Sequence, residues 1–288
     1  MQIPESAFII NASDSTDRCF VISAGIHGNE PVGANALTSL RELIDTKDWI
    51  VDGAVYGLIG NPRAAEKNVR FIDENLNRAF GTPLSNTYES GRAQEIVTWL
   101  EELSRTYTNV YLLDLHSVSI GDTTMTIYCE DNEKARAWAD EISPIPFRLT
   151  YREEVMPGAL IGVVHKLGGI GVAIECGNHV SERGADVALE HIENALMSLG
   201  FLKAHTRSYR NNSYEGERRT YSLLAPVKPT HGFRFTVDPV SELFLKEGEV
   251  YAEDPVGVRH APSDCYLMMP SKDPQPEDFD AGFLAIKN

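Results

Sequence analysis

The sequence predicts an α/β protein, a central sheet with helices on both faces, followed by a small β-rich segment. Three observations lead there. Up to about residue 206, apolar strand-like runs alternate with helical stretches. Some of these runs are apolar without alternation, as strands covered on both faces are. After residue 206 the runs shorten and are separated by Pro, Gly and Asp. The expected division is residues 1–206 as the α/β domain and 207–288 as a small β-rich domain.

In chain order, residues 20–26 form the first strand. A helix covers 30–46, because Leu37, Leu40 and Ile44 recur at spacings of three and four. A strand over 54–59 is closed by Gly60-Asn61-Pro62. Residues 63–91 are polar and read as a long loop. The next helix, over 91–105, buries Ile96, Val97, Trp99 and Leu100. Strands at 109–115 and 124–129, a helix at 133–141 and a strand at 147–151 follow. A short buried strand at 172–176 is flanked by glycines, and a helix over 185–199 closes this part. The polar run 210–219 reads as a linker. Beyond it, strands are expected at 221–224, 233–237, 243–245, 250–252, 265–269 and 283–286, with an acidic loop at 271–278.

Composition narrows the function. Hydrophobic residues make up 42% of the 288, enough for a substantial core. The formal charge of -16 argues against nucleic-acid binding, which needs clustered Lys and Arg. A locally positive site for an anionic small molecule remains compatible with it. Cys19, Cys129, Cys176 and Cys265 are far apart and form no Cys-x-x-Cys, so they read as free thiols. No basic region followed by an apolar stretch opens the chain, and no run is long enough to span a bilayer. The expectation is a cytoplasmic protein with no membrane partner. A homo-oligomer is compatible with the sequence, which reveals no interface.

The chemistry is concentrated at strand ends. The first strand runs into His27-Gly-Asn-Glu30, placing an imidazole and a carboxylate on one side of a tight turn. Asp114-Leu-His116 ends a later strand and supplies a third donor. His27, Glu30 and His116 make a zinc set with a fourth position open, and ligands of open α/β sheets bind at this edge. Asp114 is spaced to orient a ligand histidine. Glu175 lies in the apolar run Gly171-Val-Ala-Ile-Glu-Cys-Gly177. A carboxylate there is either ion-paired or beside a metal, where it can shuttle a proton. Cys176 next to it reads as an inert thiol rather than a nucleophile. The polar stretch 61–80 is rich in Arg and Asn, which suit carboxylate recognition, although a solvated surface loop reads the same way. His-Glu-x-x-His, Gly-x-Ser-x-Gly and the phosphate-binding Gly-rich loop are all absent.

Taken with Asn61-Pro-Arg-Ala, the run from Arg70 to Phe80 and Ile174-Glu175-Cys-Gly, these residues resemble the succinylglutamate desuccinylase/aspartoacylase family, relatives of the zinc carboxypeptidases. The resemblance implies a mixed central sheet and a small β domain partly covering the site mouth. It implies one Zn²⁺ per subunit on His27, Glu30 and His116. By the same resemblance Glu175 is the catalytic glutamate, Arg70 polarises the scissile carbonyl, and Asn77 and Arg78 grip a substrate carboxylate. The implied reaction is hydrolysis of the amide of an N-acyl amino acid. The alternative is a zinc carboxypeptidase acting on short peptides, and a non-catalytic metal-binding module is the further rival. Two positions depart from aspartoacylases. His165 stands where they carry an arginine ten residues before the catalytic glutamate, and Tyr266 is the nearest match to their C-terminal tyrosine.

Overall fold

Strands that are apolar on both sides need cover on both sides, and helices supply it here across one long sheet. A computed structural model describes residues 3–4, 6–11, 17–210, 217–276 and 278–288. The chain begins with β1 (Ala7–Asn11), β2 (Arg18–Ala24) and α1 (Pro31–Asp45). Next come β3 (Trp49–Val51), β4 (Ala54–Ile59), the short helices α2 (Pro62–Lys67) and α3 (Leu76–Ala79), and the long α4 (Tyr88–Thr106). β5 (Asn109–Val118), β6 (Thr124–Cys129), α5 (Glu133–Ile142) and β7 (Phe147–Tyr151) follow. Then α6 (Leu160–Lys166), β8 (Ile170–Asn178), α7 (Gly184–Ser198) and β9 (Leu202–His205) complete this part. The remainder is β10 (Arg219–Pro226), β11 (Arg234–Phe235), β12 (Leu243–Leu245) and β13 (Val250–Asp254). β14 (Gly257–His260), β15 (Cys265–Met268) and β16 (Phe283–Lys287) end the chain.

Eleven strands form the main sheet, in the order β1-β4-β2-β5-β8-β6-β7-β10-β16-β15-β12. β4, β2, β5 and β8 are parallel, while β1 and β6 lie antiparallel to their neighbours β4 and β8. The sheet is therefore mixed. Helix cover follows from the strand alternation. Gly33 of α1 lies against Ala24 and Leu115, and Trp138 of α5 packs edge-on against Phe20 and Tyr111, so these helices share one face. α7 packs on α1 and α5 on that same face. On the other face Trp99 of α4 packs against Tyr56, and Ile161 of α6 packs against Gly171.

The C-terminal strands are divided between the main sheet and a small sheet of their own. β10 pairs in parallel with β7, from Arg219 opposite Phe147 to Ser222 opposite Thr150. The main sheet thus continues through β16, β15 and β12. The segment also has its own small core around Leu245, Tyr251, Cys265 and Leu267, and β11, β13 and β14 form a separate small sheet. Of the expected linker, residues 211–216 lie outside the described residues.

Local differences from the expected elements have physical reasons. The stretch expected as a loop at 63–91 contains α2 and α3, each capped by an asparagine: Asn61 accepts the Ala64 N–H and Asn75 the Asn77 N–H. α4 starts at Tyr88 rather than 91, with the Thr87 hydroxyl accepting the Ser90 N–H. β5 runs on to Val118 and β8 to Asn178, so His116 and Glu175 sit within paired strands, directly opposite each other.

Candidate active site

Strand alternation and register assemble the site. Asp114 and His116 point to the face covered by α4 and α6, as do Ala173 and Glu175 on β8. His27 follows the end of β2 in a turn closed by the Glu30 N–H donating to the His27 carbonyl (3.2 Å). Gly28 fits in this turn because a Cβ would come 2.1 Å from the Ala64 carbonyl carbon of α2. Glu30 is the N-cap of α1 but makes no side-chain cap bond, and Pro31 follows it. Its carboxylate is turned to the histidines instead.

Acceptor oxygens behind the rings place a proton on Nε2 of both histidines. Asn75 Oδ1 accepts the Asn77 N–H (2.9 Å), which orients its amide, and Nε2 of His27 donates to the same oxygen (3.0 Å). The Nδ1 lone pair of His27 then faces Glu30 Oε1 at 2.7 Å. On the other side, Nε2 of His116 donates to Asp114 Oδ2 (2.9 Å), and its Nδ1 faces Glu30 Oε2 at 2.9 Å. Asp114 is itself held by the Ser23 hydroxyl (2.6 Å). One ligand atom from each of His27, Glu30 and His116 lies within 4.8 Å of the others, and all three side chains are buried. Lone pairs converging on a buried carboxylate require a proton or a cation between them. Two imidazole nitrogens and a carboxylate, each ring held from behind, are a donor set that zinc accepts.

Electrostatics separate the members. Burial, aided by the Arg70 guanidinium, lowers the His27 pKa to about 4. Burial would raise that of Glu30, but the imidazoles of His27 and His116 outweigh it and hold the carboxyl well below its ordinary value. Burial would lower His116, yet Asp114 and Glu30 raise it well above the ordinary imidazole value. Burial, and then the charge of Glu30, pushes Glu175 up to about 8. Its Oε2 is buried with no hydrogen-bond partner among the described residues. Of the two readings of Glu175, the structural ion pair is not seen among the described residues.

His27, Glu30, Arg70, Asn77, Arg78, His116 and Glu175 all line one cleft. Arg70 donates to Glu30 Oε1 at 3.3 Å. Asn77 Oδ1 accepts the Leu160 N–H (2.9 Å), which leaves its amide N–H groups as donors. Arg78 donates to Asp280 Oδ2 (2.8 Å) and to the Asn77 carbonyl (2.6 Å), while its buried Nε has no partner among the described residues. His179 also lines the cleft, with Nδ1 2.8 Å from the Ser117 hydroxyl. Burial pushes the Cys176 thiol well above its ordinary value, so it is inert.

Two positions lie elsewhere. His165 is outside the cleft, where Nδ1 accepts from Asn132 (3.0 Å) and Nε2 faces Asp131 (3.2 Å). Tyr266 packs between Tyr221 and Phe244, with ring centroids at 5.1 and 5.4 Å, and does not line the cleft. The C-terminal segment contributes Asp280 and Phe283 instead. The motif run Asp-Glu-Asn carried a signal for Asn75, whereas no sequence signal marks Asp280 or His179.

Residues 17–198 match the family model of the succinylglutamate desuccinylase/aspartoacylase catalytic domain. The chain belongs to this family. The succinylglutamate desuccinylase of Pseudomonas putida is 33% identical over 127 residues, covering 41% of this chain and 36% of that protein. The probable aspartoacylase of Parasynechococcus marenigrum is 36% identical over 110 residues, 35% of each chain. The match thus spans about a third of each of these relatives. Two solved structures share the fold. The succinylglutamate desuccinylase of Vibrio cholerae superposes with a TM-score of 0.74 at 18% identity, over 95% of this chain and 82% of that one. Murine aminoacylase 3 does so with a TM-score of 0.67 at 16% identity, over 96% and 97%. Among the described residues, no helix is long and apolar enough to cross a membrane.

Proposed function

We propose that this protein is a zinc-dependent hydrolase that cleaves the amide of an N-acyl amino acid. The observation that supports it most is the carboxyl of Glu175, whose buried Oε2 has no partner among the described residues, beside the converging His27, Glu30 and His116 donors. In this reading His27, Glu30 and His116 hold one zinc ion. Bound there, zinc supplies Lewis acidity, lowering the pKa of water and polarising a carbonyl.

The chain's own residues do the rest. Glu175 removes a proton from the water that attacks the amide carbon, a role open to a carboxyl whose Oε2 has no other partner among the described residues. As the C–N bond breaks, Glu175 delivers that proton to the leaving nitrogen, releasing the carboxylic acid and the free amino acid. Arg70 donates to the carbonyl oxygen as negative charge builds there. Asn77 and Arg78 hold the substrate carboxylate and fix the reacting carbonyl. The four cysteines are buried free thiols, the state that a reducing cytoplasm maintains.

The test is Glu175→Gln assayed against N-acetyl, N-formyl and N-succinyl amino acids, with short peptides alongside. Turnover of the N-acyl amino acids should fall by roughly 10²–10⁴-fold while bound zinc, measured by elemental analysis, stays stoichiometric. Retained turnover in this variant rules out the assigned role. Faster cleavage of peptides than of N-acyl amino acids would favour the carboxypeptidase.

A further inference from the structure

We propose that Asp280 is a specificity-determining residue that limits the substrate to a single carboxylate, so that its other branch is apolar. This rests on the proposed reaction and names its substrate class. Among the described residues lining the cleft, Arg70 and Arg78 are the only Arg or Lys side chains. Arg70 lies against Glu30 in the donor cluster. Arg78 is the cation left for an anionic substrate, and Asp280 already holds it through Nη2 at 2.8 Å.

Asp280 is a fixed part of the wall. It is buried, as is most of Arg78, whose guanidinium lies 5.0 Å from the ring centroid of Phe279 and 5.8 Å from that of Phe283. The backbone on its C-terminal side is tied down: Ala281 N–H donates to the Val227 carbonyl (2.7 Å), and Val227 N–H to that of Gly282 (2.8 Å). The bond to Asp280 is monodentate, and the Arg78 side chain keeps 12% of its surface exposed where it lines the cleft. That exposed part, with the Asn77 amide, accepts one carboxylate. A second would meet a buried like charge with no cation to offset it. His165, ten residues before Glu175, is turned away to Asp131 and Asn132 and adds no charge to the cleft.

Besides Ser117, Ser119, Ser271 and His179, the remaining wall has an apolar patch, and the sheet register explains it. Two residue pairs away from His116 opposite Glu175, on the same face, Asp114 lies opposite Ala173, and Ala173 opposite Ile127 on β6. Met156, Ala159 and Ile161 cover this patch from the α6 side. An aliphatic group buried here gains hydrophobic stabilisation, whereas a carboxylate loses its hydration without a partner.

N-acetylleucine and N-acetylaspartate have side chains of nearly the same shape and opposite polarity, so their ratio reports charge. In the wild-type enzyme kcat/KM should favour N-acetylleucine by about 100-fold. Asp280→Asn and Asp280→Ser should each narrow that ratio at least tenfold, by raising turnover of N-acetylaspartate. Calorimetric binding of both compounds to Glu175→Gln, and to that variant combined with Asp280→Asn, should show the same change in Kd ratio without any turnover. A wild-type preference for N-acetylaspartate, or ratios unmoved by both Asp280 substitutions, overturns the assignment. Failure to hydrolyse any N-acyl amino acid would remove the proposed reaction, while the binding ratio would still judge Asp280 on its own.

Discussion

Asn75 Oδ1 lies 3.0 Å from Nε2 of His27, on the opposite edge of the ring from Glu30. The same oxygen caps α3 by accepting the Asn77 N–H, so one amide orients the histidine and places the loop carrying Asn77 and Arg78. Asn75→Ala frees the ring to rotate. Zinc affinity, measured by competition with a chromophoric chelator, should fall by roughly 10–100-fold. An unchanged affinity would mean that another contact orients His27.

Glu89 is fully buried in the first turn of α4, where its oxygens accept the N–H groups of Ile72, Asp73 and Glu74 and the side-chain amide of Asn61. This carboxylate is the anchor of the loop that bears Arg70. Glu89→Ala should destabilise the protein by about 3 kcal/mol, because it leaves buried donors without an acceptor. Urea unfolding measures this, and a loss under about 1 kcal/mol would show that water replaces the carboxylate.

Gly158 has φ +72°, and a Cβ on it would lie 2.4 Å from the Arg78 carbonyl oxygen. Both the conformation and the contact favour glycine. Gly158→Ala should push the Arg78 backbone aside and raise KM severalfold or more, with a smaller change in kcat. Steady-state kinetics across substrate concentration separates the two.

Stability should fall as the pH is lowered from neutrality. His191 is buried, donating through Nδ1 to the Val187 carbonyl (2.7 Å), with Nε2 2.9 Å from the Ser143 hydroxyl. Burial lowers its pKa from 6.5 to about 4. Between those values the unfolded chain binds a proton that the folded chain refuses, so stability is full above pH 6.5 and declines toward pH 4. The contribution is on the order of 3 kcal/mol. Unfolding free energies of the wild type and His191→Gln, measured between pH 4 and 7.5, should differ in slope over this interval. Equal slopes would assign the acid sensitivity to other groups.

The parts legible in the sequence are those where burial leaves a long mark. β2, β5 and β8 are covered on both faces and read as continuous apolar runs. His27, Glu30, His116 and Glu175 stand out because polar groups interrupt or end those runs. β1 lacks such a mark, being a half-buried edge strand paired, among the described residues, with β4 alone. The helices at 62–67 and 76–79 are too short to display a period, and they are held by caps and by Glu89 rather than by an apolar stripe. Asp280 is illegible for a different reason. Its meaning lies in a contact with Arg78, 202 residues away, and its own neighbourhood reads as an acidic loop.

The parallel pairing of β7 with β10 has a mechanical consequence. The strand bearing Glu175 and the strand leading out of Asp280 belong to one continuous hydrogen-bonded fabric, from β8 through β6, β7 and β10 to β16. Swinging the mouth of the cleft away as a rigid flap would tear backbone bonds along that seam. Any opening of the cleft would therefore leave the sheet intact and fall to side chains and loop segments at its rim.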